Sequence, residues 1–358
     1  MVSYRVIQIS RVRLNPYVRL LQAALVEAGV PCSTIERLTP RTLPSRPDTR
    51  LVVHLHWLEL QFASATCTSS LRRLLGLVSA LVLLKLRGAR LVYTVHNLSP
   101  HEQSLPVLSR VASRLVFGLA DALHVHDETV RVRVAQHCGT PKKVHVVPHG
   151  SYIGAYPNSC TRQEARAKLQ LPEDAFIYLC LGQVRRYKGV QDLISAFGQL
   201  PAGNQQLVLA GHVHDTAYAQ QLALTTEALS GIHTWFSYVD DAEVQYFMQA
   251  CDVCVLPYRD MTTSGAAILA FSFGKPIVAP ALGGFPELAD AGRGIVYDPQ
   301  QKDGLLLALL QARSTDMAAA GQKALSWATE HDWRILVPRF IEIYEGALGT
   351  RQRIGNIE

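Results

Sequence analysis

The chain has 358 residues, more than one ordinary domain holds, and 48% of them are hydrophobic against 18% charged, enough apolar material for two cores. That balance excludes a disordered or low-complexity chain. The longest apolar run, Leu74–Leu84, is broken by Gly76 and Ser79 and falls short of the roughly 18 residues a membrane span needs. The formal charge of +6 hides an asymmetry: residues 1–150 hold 19 Lys/Arg against 8 Asp/Glu, while residues 151–358 hold 16 against 21. A basic first half points to an anionic partner such as nucleic acid, lipid headgroups or a phosphate-bearing substrate.

In chain order, short β-branched runs alternate with helical patterns. Strands are predicted at Arg5–Ile9, Leu51–His56, Arg90–Val95, Ala122–Val125 and Val144–Val147, with helices at Tyr17–Ala28 and Arg72–Leu86. The N-terminus enters the strand pattern at once, which predicts no signal peptide. A loop-rich break at 150–157 (GSYIGAYP) follows. The scheme then repeats, with strands at Ile177–Leu181, Gln206–Ala210, Val253–Leu256 and Pro276–Ala279, and a further strand just before 236–241 (FSYVDD). Helices are expected near Val190–Leu200, Tyr218–Leu229, Asp241–Ala250 and Gly265–Phe273. Such alternation predicts an α/β protein with two doubly wound, parallel-sheet domains. The expected division is 1–155, 156–330 and a closing helix within 331–358.

Ligands of open parallel sheets bind beyond the carboxyl ends of the strands. Those positions are polar here, and most of the 13 histidines sit there, which predicts a polar cleft. After the strand ending at Leu181 comes Gly182-Gln183-Val184-Arg185-Arg186-Tyr187-Lys188-Gly189. Arginine binds a diphosphate bidentately and lysine binds it as a point charge; a solvated basic turn has the same composition. After the strand ending at Leu256, Ser264 caps a small-residue helix opened by Gly265, a second anion-type signal. Seven scattered cysteines predict no disulfide framework and a reducing, cytoplasmic setting. Cys251 and Cys254 read as the end of a helix running into a buried strand, with no second pair at zinc spacing.

With GQVRRYKG, the strand ending LPY and the stretch FGKPIVAPALGGFPEL in place, the chain resembles GT-B glycosyltransferases of the family 4 group. The resemblance implies two Rossmann-like domains facing a cleft, the first binding the acceptor and the second a sugar nucleotide. It also implies a final helix, Asp332–Leu348, crossing back to the first domain. Two carboxylates usual in that group fall on Met261 and Leu269. HLHWLE, TVHNLSPHE, RRYKGV and LPYRDMTTSGAAILAFSFGKPIVAP are similar instead to the inverting β-mannosyltransferases of xanthan-type polysaccharide assembly (family 94). Those enzymes use GDP-mannose and a polyprenyl-diphosphate-linked acceptor.

An inverting, metal-independent hexosyl transfer needs a base at the acceptor hydroxyl and positive charge at the leaving diphosphate. Glu102 is the first candidate base, followed by Glu59, His96 and His101. Arg185, Lys188, Ser264 and Gly265 are assigned to the diphosphate, Glu287 to the ribose, and Tyr238 and Val239 to the nucleobase. No metal or cofactor is expected. The expected partners are a nucleotide-sugar donor and a lipid-linked or oligosaccharide acceptor, with no nucleic acid. Ser70–Arg90, apolar with basic ends, fits either a buried layer helix or peripheral contact with the cytoplasmic membrane. The alternatives are a retaining family 4-type hexosyltransferase using a UDP- or GDP-sugar, a sugar-nucleotide epimerase, and a donor-binding protein without catalysis.

Overall fold

The computed structural model describes residues 4–43, 50–64, 66–96, 106–138 and 143–349. It divides into unit 1, residues 1–150 with 333–358, and unit 2, residues 151–332.

Unit 1 is built on six parallel strands: β1 (Tyr4–Ile9), β2 (Cys32–Ile35), β3 (Arg50–His56), β4 (Arg90–Thr94), β5 (Ala122–Val125) and β6 (Val144–Val146). Their order is β2-β1-β3-β4-β5-β6, so the winding reverses between β1 and β3. Strand side chains alternate between faces. Leu51, Val53, Leu55, Leu91 and Tyr93 pack on one side, with helices α3 (Cys67–Leu86) and α4 (Pro106–Leu119). Val52, Val92 and Ala122 pack on the other, with α1 (Tyr17–Glu27) and the closing helix α14 (Trp333–Leu348). Trp333, Phe340 and Tyr344 anchor α14 in this core. Gly150 has no substitute, because a Cβ there would collide with the Trp333 ring. A short helix, α2 (Leu58–Phe62), follows β3, and α5 (Glu128–Cys138) follows β5.

Unit 2 repeats the plan with β7 (Phe176–Leu181), β8 (Gln205–Ala210), β9 (Ile232–Trp235), β10 (Val253–Val255), β11 (Ile277–Pro280) and β12 (Gly294–Tyr297). Their order is β12-β11-β10-β7-β8-β9, all parallel. The winding reverses between β10 and β7. Helices α6 (Arg162–Lys168), α9 (Val244–Ala250) and α10 (Gly265–Ser272) cover one face. Helices α7 (Val190–Phe197), α8 (Thr216–Glu227) and α12 (Gly304–Ser314) cover the other. The remaining helices are α11 (Phe285–Ala289) and α13 (Met317–Glu330). Arg166 of α6 is fully buried. It donates to the carbonyls of Ala250 and Ala175 and to Asp252, at 3.0, 2.9 and 3.0 Å, tying α6 to the entries of β7 and β10.

Strands β2 and β12 stand outside the predicted set. Both are edge strands, and β2 is nowhere fully buried, so neither carries a central strand's apolar run. The apolar segment around Leu74–Leu84 also needs correction. Helix α3 starts at Cys67, runs 20 residues, and is long and apolar enough by length and composition to cross a membrane.

Candidate functional site

In unit 2 the turn after β7 and the loop after β10 lie on the two sides of the winding reversal, where open α/β sheets bind ligands. The turn holds Gly182 at φ +128° and Gly189 at φ +66°, backbone that side-chain-bearing residues rarely adopt. A Cβ on Gly189 would collide with the Pro257 carbonyl, so glycine lets the turn close on the β10 loop. The Arg259 N–H donates to the Tyr187 carbonyl at 2.7 Å, and the Arg259 guanidinium pairs with Asp192 of α7 at 2.6 Å.

Lys188 crosses this junction. Its Nζ lies 3.5 Å from where a Cβ on Gly182 would stand and 5.0 Å from the centre of the Tyr258 ring. Burial works against its charge, but the Tyr258 and Tyr187 hydroxyls outweigh it and hold the pKa above the ordinary lysine value. The two arginines of the turn part company. Arg186 reaches Asp215, the N-cap of α8, at 3.3 Å, and stacks 4.6 Å from the centre of the Tyr218 ring. Arg185 is half-buried, with Nε donating to Gln183 at 3.3 Å.

Past β10, the Ser264 hydroxyl oxygen accepts the Ala267 N–H at 3.3 Å and caps α10. Its own O–H remains able to donate. The first-turn N–H groups, from Gly265 onward, have no carbonyl within the helix and carry the positive end of its dipole. Met261 is buried, and a Cβ on Gly283 would strike its sulfur, so the segment after β11 seats against this loop. Leu269 packs against the same core. Glu287 is exposed in the first turn of α11. Tyr238 is exposed and Val239 packs on the core, in the loop after β9. The β11 and β9 loops each lie two strands from β7, about 10 Å to either side.

In unit 1 the even-numbered strand residues carry a different chemistry. His54 and His56 of β3, Thr94 and His96 at the end of β4, and His124 and His126 at the end of β5 are buried and share one face. The His124 Nε2 faces the Val147 carbonyl at 2.9 Å and must donate to it. With the ring neutral, His124 Nδ1 accepts from Thr94, at 2.9 Å. The Thr94 oxygen accepts from His54 Nε2 at 2.7 Å, and His54 Nδ1 accepts from the Tyr344 hydroxyl at 2.8 Å. A second chain joins Gln8, His56, His96 and His126 through contacts of 2.7, 3.1 and 3.5 Å. Both chains are satisfied by neutral imidazoles, each ring donating through one nitrogen and accepting through the other, the form that burial favours. Burial pushes the pKa of His56 and His124 down to about 3 and that of His149 to about 4. His54, His96 and His126 are lowered by the same cause. Among the described residues no three His, Cys, Asp or Glu side chains are placed to hold a metal ion.

Tyr17 stands at the centre of this cluster. Its ring meets those of His56, His96, His126 and His149 edge-on at 4.9 to 5.7 Å. Asn15 sets it there by accepting the Tyr17 N–H at 2.9 Å, and Pro16 follows as the N-cap of α1. Trp57 sits in the left-handed region at φ +43°, which costs of order 1–3 kcal/mol for such a residue. In return it stacks on His96 at 3.8 Å with the rings 4° apart. Tyr17 and Gln8 were not among the predicted site residues. The available signal was the H-x-H and T-x-H alternation, which puts the rings on one face where a bulky partner must meet them.

Glu59 lies in the first turn of α2. It helps burial raise the pKa of Tyr93, whose ring packs on the α3 and α4 face of the sheet, opposite the histidines. Glu102 and His101 lie outside the described residues. Cys251 and Cys254 are buried with sulfurs 3.9 Å apart, and Cys251 donates to the Met248 carbonyl, the packing of structural thiols.

Residues 161–322, nearly all of unit 2, match the family described as glycosyl transferases group 1. The chain is 28% identical to a D-inositol 3-phosphate glycosyltransferase 1 of Catenulispora acidiphila, over 95% of this chain and 85% of that one. It is 26% identical to a GDP-mannose:glycolipid 4-beta-D-mannosyltransferase of Xanthomonas campestris pv. campestris, over 94% of this chain and 89% of that one. The sucrose-phosphate synthase structure from Thermosynechococcus elongatus superposes with a TM-score of 0.72 at 19% identity, covering 97% of this chain and 100% of that one. Two six-stranded Rossmann-like units, one carrying this family domain, define a GT-B protein. The chain is a glycosyltransferase of that class, resembling both the mannosyltransferase and the inositol-phosphate enzymes.

Proposed function

We propose that the enzyme transfers mannose from GDP-mannose, with inversion and without a metal ion, to a lipid-linked or oligosaccharide acceptor in surface-polysaccharide assembly on the cytoplasmic side of the membrane. The observation that carries this reading is Lys188 folded across the β7–β10 junction, in the unit that also presents the Ser264-capped start of α10. Arg185 and Lys188 neutralise the diphosphate, and Ser264 and Gly265 donate to its oxygens. Their charge stands where a bound metal would otherwise be needed. Glu287 takes the ribose, and Tyr238 with Val239 the base. The acceptor oxygen attacks the anomeric carbon, the bond from that carbon to the diphosphate oxygen breaks, GDP departs, and Glu102 takes the hydroxyl proton. Apolar Met261 and Leu269, at positions where the retaining relatives carry carboxylates, support the inverting course. The likeness to the mannosyltransferase along most of both chains supports the donor.

Thermal denaturation with GDP and with UDP tests the donor. A ligand at 100 times its Kd stabilises by about 2.7 kcal/mol, so GDP should raise the Tm more than UDP at equal concentration. Equal or greater stabilisation by UDP overturns the guanine assignment. An anomeric NMR spectrum of the product should show a β linkage, and an α linkage returns the enzyme to the retaining course.

A further inference from the structure

Helix α3 has two apolar faces. Leu74, Leu77, Leu81 and Leu84 are buried against the sheet. Leu71, Leu75, Val82 and Leu86 recur at helical spacing with Ser79 along the opposite stripe, and they are exposed, Leu75 by 60% and Leu86 by 79%. Helix α4 packs beside it over the same core and repeats the pattern. Val107, Val111 and Leu115, four residues apart, are exposed, Val107 by 71%. One exposed leucine needs no explanation; two parallel apolar stripes on neighbouring helices mark an interaction surface.

Charge identifies the partner. Neither helix contains an aspartate or glutamate. Asp121 beside them is already paired with Lys85 and Arg90, at 2.7 and 3.2 Å. Arg72, Arg87, Arg110 and Arg114 are exposed along or just beyond the two helices. A second copy of this face would set arginine against arginine. An anionic bilayer surface instead complements the cations and takes up the apolar side chains. The buried leucines decide how α3 meets the lipid: crossing the bilayer would strip that face from the sheet, so the helix lies in the interface plane.

We propose that α3 and α4 form a docking surface for anionic phospholipid, with the exposed apolar stripes set among the acyl chains and the arginines at the headgroups. This goes beyond the donor and acceptor proposed above and is tested without either. Full-length protein is sedimented with phosphatidylcholine vesicles, with and without phosphatidylglycerol, in the absence of sugar nucleotide. It should bind the anionic vesicles, lose binding as salt is raised, and bind phosphatidylcholine poorly. Each basic residue near such a surface contributes about fivefold, so Arg110→Gln/Arg114→Gln should weaken binding about 25-fold. Leu75→Ser/Leu86→Ser, confined to exposed positions, should abolish it with the Tm unchanged. Three results would each overturn the proposal: no binding to anionic vesicles, undiminished binding by both double variants, or a wild-type dimer that Leu75→Ser/Leu86→Ser converts to monomer. Loss of GDP binding with vesicle binding intact would strike the donor reading alone.

Discussion

The two units share a winding and differ in what they place at its reversal. Unit 1 buries neutral rings there: His56 and His96 are held by each other, by Gln8 and by the edges and faces of Tyr17 and Trp57. Unit 2 places cations and glycines there, with Lys188 half-buried and Arg185 beside it. The same sheet end thus yields a desolvated aromatic block in one unit and a cationic turn in the other. The scaffold supplies the location, and the residues following each strand supply the chemistry.

Acid should separate the units most strongly. Among the described residues, the buried histidines all belong to unit 1. A histidine whose folded pKa lies below its unfolded value of about 6.5 contributes full stability above that pH, and loses it as the pH falls toward the folded pKa. With His56 and His124 at about 3 and His149 at about 4, each loses about 2 kcal/mol between neutrality and pH 5. These three alone should destabilise unit 1 by about 6 kcal/mol, with His54, His96 and His126 adding in the same direction, while unit 2, where His233 is lowered but only half-buried, should lose less. Hydrogen exchange read segment by segment at pH 7 and pH 5 checks this. Equal losses in both units would remove the contrast.

The next effect separates binding from chemistry. Glu102→Gln should lower turnover about 100-fold or more, as for loss of a general base, while GDP affinity in unit 2 stays unchanged. Near-normal turnover excludes Glu102 as the base and leaves Glu59 and His96. Arg185→Ala and Lys188→Ala give the reverse pattern. Losing a charge-assisted contact costs roughly 1.5–3 kcal/mol, so GDP affinity should fall about 10- to 100-fold in calorimetry, with kcat falling further as charge grows on the leaving diphosphate. Unchanged affinity in both would take the turn out of the donor site.

The smallest expected effect is the sharpest test of geometry. Arg186 is engaged with Asp215 and Tyr218, so Arg186→Ala should change GDP affinity less than about twofold. A loss matching that of Arg185→Ala would mean that the two arginines share the anion.

The central strands were legible because each is a short run, three to seven residues, of largely apolar character, bounded by helices of different period. The parallel α/β class followed from their alternation. The glycine–cation turn and the serine cap were legible because backbone conformation and anion chemistry restrict which residue types can serve there. Edge strands β2 and β12 were not, since an edge needs partners on one side only and tolerates polar residues.

What the sequence determined by itself is local: the periodicity of each element, the left-handed turn that only glycine closes easily, and the histidines two apart that must share a face. Strand order is not local. Only the folded sheets bring the β7 turn against the β10 loop at one reversal and the ends of β1 and β3 together at the other. The fold likewise turns Arg186 to Asp215 and lays Lys188 over Tyr258, though the turn lists Arg185 and Arg186 as equals. The histidines show the same division. Their spacing chose the face, but the tertiary packing of Tyr17, Trp57, Thr94 and Tyr344 around them removed water and set their proton positions, because desolvation and hydrogen bonding depend on neighbours far apart in the chain.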